Sequence, residues 1–112
     1  MSVSLSAQYT AVKSITSIVD GDDKRPGKTQ IEFLLGQARV AAVTLAKIKG
    51  GRGRAGELEA MAVERMISIV SGAENAPRGE RRKNLLQYAA QAAATLLRLH
   101  NEAARNLEVA QP

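Results

Sequence analysis

The 112-residue chain has no cysteine and no tryptophan, and aromatic residues make up only 3% of it. Without cysteine there can be no disulfide and no thiolate-ligated metal. Tyr9, Phe33 and Tyr88 are too few to fill an interior. The core must therefore be aliphatic and rich in alanine, which suits closely packed helices better than a sandwich or barrel. A single histidine, His100, leaves a catalytic dyad or imidazole-rich metal site without companions. No apolar run approaches the ~18 residues of a membrane-spanning helix. The opening "MSVSLSAQYTAVK" lacks both a basic start and a continuous apolar stretch, so it does not read as a secretory signal. A cytoplasmic protein without membrane contact, metal or cofactor is expected.

What is present points to a folded domain. Apolar residues make up 45% of the chain, enough to drive folding. The length predicts one domain over residues 1–112. A net charge of +5 favours polyanions or acidic protein surfaces as neighbours.

Residues 3–11 alternate apolar and polar, a strand period, but from Val12 the spacing is helical: Val12, Ile15 and Val19. A helix over about 5–19 with a loose or extended start at 1–11 is predicted, ended by Asp20-Gly21. Ile31, Leu34, Leu35, Ala38, Ala41, Ala42, Leu45 and Ile48 form the apolar stripe of a second helix. Thr29 and Glu32 have the spacing of a capping box at its start. Lys47 and Lys49 suit its last turn, and Gly50-Gly51 is its stop. After "GGRGRAG", a third helix carries Leu58, Ala62, Met66, Ile69 and Val70 and ends at Gly72. After "GAENAPRG", the last helix runs from near Glu80 to about Glu108. Its seam, Leu86, Ala89, Ala93, Leu96, His100, Ala103 and Leu107, is spaced alternately by three and four. The expected fold is all-α: an antiparallel up-and-down four-helix bundle with a long C-terminal helix.

Some local patterns suggest chemistry and fail on spacing. "GKT" at Gly27, Lys28 and Thr29 resembles the end of a phosphate-binding loop. Five residues separate Gly21 from Gly27 where that motif has four, and Pro26 removes a backbone donor. Asp20, Asp22 and Asp23 resemble the start of a calcium loop, but its sixth and twelfth positions hold Arg25 and Ile31 instead of Gly and Glu. His100 falls on the apolar seam and reads as a partly buried packing residue. No enzyme is indicated.

Basic residues gather at the loops: Lys24, Arg25 and Lys28; Lys47, Lys49, Arg52 and Arg54; Arg78, Arg81, Arg82 and Lys83. In an up-and-down bundle the first and third groups share one end. There they mix with Asp20, Asp22, Asp23, Glu74 and Glu80, so the surface is not a clean phosphate track. The Gly-Arg tract is one short copy, and stacking aromatics are absent.

The order of these elements resembles the bacterial flagellar secretion chaperones of the FliS family. Tyr9 stands for that family's N-terminal tyrosine. "QIEFLLGQA" resembles its second-helix pattern through Ile31, Leu34, Leu35 and Ala38. "VERMISIVSG" resembles its third helix through Val63, Met66, Ile67, Ile69 and Val70. "RGERRKNLLQY" is similar to the entry into its last helix through Gly79, Glu80, Asn84, Leu85 and Tyr88, and "HNEAARNLEV" to its closing segment. The resemblance implies a non-catalytic export chaperone that binds the C-terminal helical segment of flagellin in the cytoplasm and keeps it from polymerising. Grooves between helices can hold such a segment. The candidate partner contacts are Ile31, Leu34, Leu35, Ala38, Ala42, Leu45, Leu85, Tyr88 and Leu96. Two alternatives stand beside this: a small basic nucleic-acid-binding protein, and a homo-oligomeric assembly or adaptor protein built on the last helix.

The failed phosphate loop generates a direct expectation. Calorimetric titration with Mg²⁺-ATP or Mg²⁺-GTP should give no saturable heat, and a stoichiometric isotherm would restore the nucleotide reading.

Overall fold

Ser4 opens the first helix. Its backbone is extended, and its hydroxyl accepts a hydrogen bond from the Ala7 amide at 3.1 Å, satisfying one of the orphan donors of a helix start. The computed structural model describes residues 3–21, 25–48 and 55–110. Helix α1 spans Leu5–Asp20, α2 Lys28–Ala46, α3 Ala55–Ser71 and α4 Glu80–Ala110. The early strand-like alternation does not produce a strand, because Leu5 and Tyr9, one helical turn apart, both pack against the core. Gln8, buried between them, donates from Nε2 to the Val3 carbonyl at 2.8 Å and ties down the entering chain.

The helix stops follow the glycines. Gly21 has φ 85° and its amide bonds back to the carbonyls of Ser17 and Ile18. Gly72 has φ 89°, and the Ala73 amide reaches the Ser68 carbonyl at 2.8 Å. Both are left-handed C-caps that L side chains adopt only with strain.

The start of α2 differs from the expected capping box. Gly27 is the N-cap, with no side-chain cap bond, and its carbonyl accepts from the Ile31 amide at 3.0 Å. Thr29 therefore lies inside the first turn. Once the chain leaves Pro26, starting the helix at Lys28 instead of Gln30 adds two residues of backbone bonding. At its far end α2 stops at Ala46, before the expected glycine pair. The Lys47 amide closes onto the Val43 and Thr44 carbonyls. Lys49 and Gly50 to Arg54 lie outside the described residues, as do Asp22, Asp23 and Lys24.

The helices form an antiparallel up-and-down bundle in chain order. Each packs against its sequence neighbours, α1 closes the ring on α4, and α1 and α3 approach more closely across the middle than α2 and α4 do. There is no strand among the described residues. The core is built from Val12, Ile15, Leu34, Leu45, Val63, Met66, Leu96 and their neighbours, interspersed with nine alanines including Ala38, Ala41, Ala89 and Ala92. Full burial of each large aliphatic chain is worth about 1.5–3 kcal/mol.

Helix α4 outruns the bundle. Thirty-one residues at 1.5 Å each give about 46 Å. Its last fully buried side chain is Leu96, and every residue from His100 to Asn106 is exposed. His100 is thus a surface residue and not a packing one, because the other three helices end before they can cover it.

One close approach fixes the junction of α2 and α3. A Cβ on Gly56 would lie 2.8 Å from the Leu45 carbonyl oxygen and 3.6 Å from the Ile48 Cβ. Gly56→Ala should destabilise the bundle by about 1–3 kcal/mol through overpacking. Gly36 lies on the exposed face of α2 with nothing near its missing side chain, so Gly36→Ala should instead stabilise by about 0.4–1 kcal/mol. Urea unfolding of the two variants, with opposite shifts in midpoint, checks both.

Candidate functional site: the groove between the third and fourth helices

Sequence neighbours in the ring do not pack equally. A groove of about 520 Å³ opens along the α3–α4 seam. Its α3 wall is Leu58, Met61, Ala62 and Arg65, and its α4 wall is Arg81, Asn84, Leu85 and Tyr88. These positions follow helical spacing, so each helix offers two turns of one face. The connection between the helices closes one end with Asn75 and Pro77.

The groove's apolar residues are unusually available. Met61 is 56% exposed, and Leu58 and Tyr88 are each 37% exposed. A scattered apolar residue on a surface is ordinary, whereas several converging on one concavity mark a place for a partner. Met suits such a surface because its thioether chain adapts its shape.

Toward the open end, past Tyr88 on α4, one polar bond straps the seam. Glu59 is buried, and its carboxylate Oε1 accepts from the Thr95 hydroxyl of α4. Its partner lies 36 positions away, a pairing no local pattern displays.

The candidate contacts expected from the sequence divide in two. Ile31, Leu34, Leu35, Ala38, Ala42, Leu45 and Leu96 fill the core, and Leu85 lies at 5% exposure in the groove floor. Tyr88 stands at the groove wall with its ring reachable. Leu58 was legible only as an apolar position on the third helix, and Met61 was not singled out. Met61 falls off the core stripe drawn through Leu58, Ala62 and Met66, and that offset is the signal that could have found it.

A second, smaller groove of about 320 Å³ runs between α1 and α4. Tyr9 and Lys13 form one side of it, with the Lys13 ammonium 5.7 Å from the ring centre. Ala90, Ala94 and Leu97 form the other.

At the closed end of the bundle several cations are already engaged. Arg25 donates to the Val70 carbonyl at 2.7 Å, and Arg82 donates to the Asp20 carbonyl at 3.0 Å and its carboxylate at 3.3 Å. Both satisfy carbonyls that a helix C-terminus leaves unpaired. They also confirm that the first and third connections share one end. Among the described residues no cluster of His, Asp or Glu could hold a metal ion, and no helix is long and apolar enough to cross a membrane.

Compared with family models, with curated proteins and with solved structures, the chain matches none.

Removing the strap should be costly. Thr95→Val keeps the shape but leaves the buried Glu59 carboxylate without its donor, a loss of about 1–3 kcal/mol. Thr95→Ser should retain most of the stability. Chemical denaturation of both variants measures the difference, and equal midpoints for the valine variant and the parent would show that the bond contributes nothing.

Proposed function

We propose that the protein is a non-catalytic helical bundle that binds an amphipathic helical segment of another protein in the α3–α4 groove. The observation that carries this reading is the convergence of exposed Leu58, Met61 and Tyr88 on one two-turn concavity. A helix laid there with apolar residues at i, i+3 or i+4, and i+7 would cover them as helix-in-groove recognition does. Shielding such a segment is what a chaperone does for a partner that would otherwise assemble through it. In the finer form suggested by the resemblance to flagellar secretion chaperones, the partner is the C-terminal helical segment of flagellin, and the setting is the bacterial cytoplasm. Leu85 and Tyr88 are the residues from the resemblance that line the groove. The core residues of α2 act by holding the bundle in register.

The net charge of +5 supports a second reading, nucleic-acid binding. Two of the cations behind it, Arg25 and Arg82, are committed to helix carbonyls, which favours the protein partner.

Titration of a fluorescent peptide from a flagellin C-terminal helix into the protein should give saturable binding. Met61→Asp should weaken it at least tenfold while leaving the unfolding midpoint nearly unchanged, because Met61 is a surface residue. No binding of this or any other amphipathic helix would refute the proposal. Binding to random DNA or RNA that collapses steeply with salt would support the second reading instead.

A further inference from the structure

We infer that the groove selects both the charge and the direction of its occupant: it fits an amphipathic helix whose C-terminal turn carries carboxylates, laid with that turn against Arg65 and Arg81. This rests on the helix-binding reading above. The two guanidinium groups do not lie at random along the groove. Helix α3 runs from Leu58 to Arg65 toward the connection at Asn75 and Pro77, and α4 runs from Arg81 to Tyr88 away from it. Both cations therefore stand at the closed end, and Leu58, Met61 and Tyr88 stand toward the open one.

Among the described residues no carboxylate lines the groove. Arg65 reaches Glu74 outside it at 3.5 Å through one nitrogen of a half-exposed pair, which leaves most of its five donors free. Arg81 is exposed and forms no ion pair among the described residues.

Guanidinium groups match carboxylates with paired hydrogen bonds. The C-terminus of a helix adds unpaired carbonyls and about half a negative charge of its own. An incoming N-terminus would bring the opposite dipole against the same arginines. The wall from Leu58 to Arg65, eight residues and seven helical rises, spans about 10 Å, room for two turns of the bound helix.

Other occupants fit less well. The end of α4 in a second copy carries Arg98 and Arg105 interleaved with Glu102 and Glu108, so its charges alternate in sign and offer no purely acidic complement. A nucleic-acid strand could reach the two arginines but would leave the apolar wall uncovered, with only Tyr88 to stack on.

The test uses the full chain and three designed fluorescent peptides with one shared apolar face. The first has glutamates in its last turn, the second has them in its first turn, and the third has lysines in its last turn. At low ionic strength, fluorescence anisotropy should rank the first tightest, by about threefold to tenfold over the second, with the third weakest. R65Q/R81Q should erase the ranking while keeping a common residual affinity. Equal binding of all three peptides, or tightest binding of the third, would overturn the inference and leave helix binding standing. Failure of all three to bind would overturn the helix-binding reading as well. A dimer in light scattering that dissociates as the first peptide binds would assign the groove to a second copy and overturn the inference too.

Discussion

With no aromatic ring among the buried residues described, and alanine at nine of the core positions, the helix axes must come close enough for Cβ atoms and backbone to meet. Small side chains leave little slack, so the position of each helix is dictated by its neighbours and not by a few large anchors. Gly56 takes this furthest, since even a methyl group there would collide with the end of α2. The same closeness explains why the two grooves matter. Where helices of small side chains pack this tightly elsewhere, the uncovered apolar surface collects along the α3–α4 and α1–α4 seams.

The ends of the bundle solve a different problem. Helix C-termini leave carbonyls unpaired, and α1 and α3 finish side by side. Arg25 and Arg82 cross from neighbouring segments to meet those carbonyls. Two of the cations at this end are therefore structural. A positive net charge suggests polyanions when read from composition, but part of it is turned inward here, toward the dipoles of the chain's own helices.

The four helices and most of the core were readable because apolar stripes at 3.6-residue spacing depend only on local order. Gly21 and Gly72 as helix ends were equally legible, since left-handed caps require glycine. The errors came where a choice depended on distance. The Thr29–Glu32 box had the right spacing, yet the helix began two residues earlier at Gly27–Lys28. His100 fits the seam of its own helix, but whether it is covered depends on where the other three helices end. The groove was half visible: Leu85 and Tyr88 were singled out, whereas Met61 and Arg65 gain meaning only when α3 is placed beside α4. The Glu59–Thr95 bond was invisible for the same reason.

Both tyrosines stand at groove walls, Tyr88 in the larger and Tyr9 in the smaller, and the chain has no tryptophan. The intrinsic ultraviolet emission of this protein thus originates at its recesses and not in its interior. Its intensity and polarisation will follow what enters those recesses, while melting of the four helices is read separately, from the far-ultraviolet dichroism of the backbone. The molecule carries a built-in reporter of occupancy that is distinct from the backbone signal of its folding.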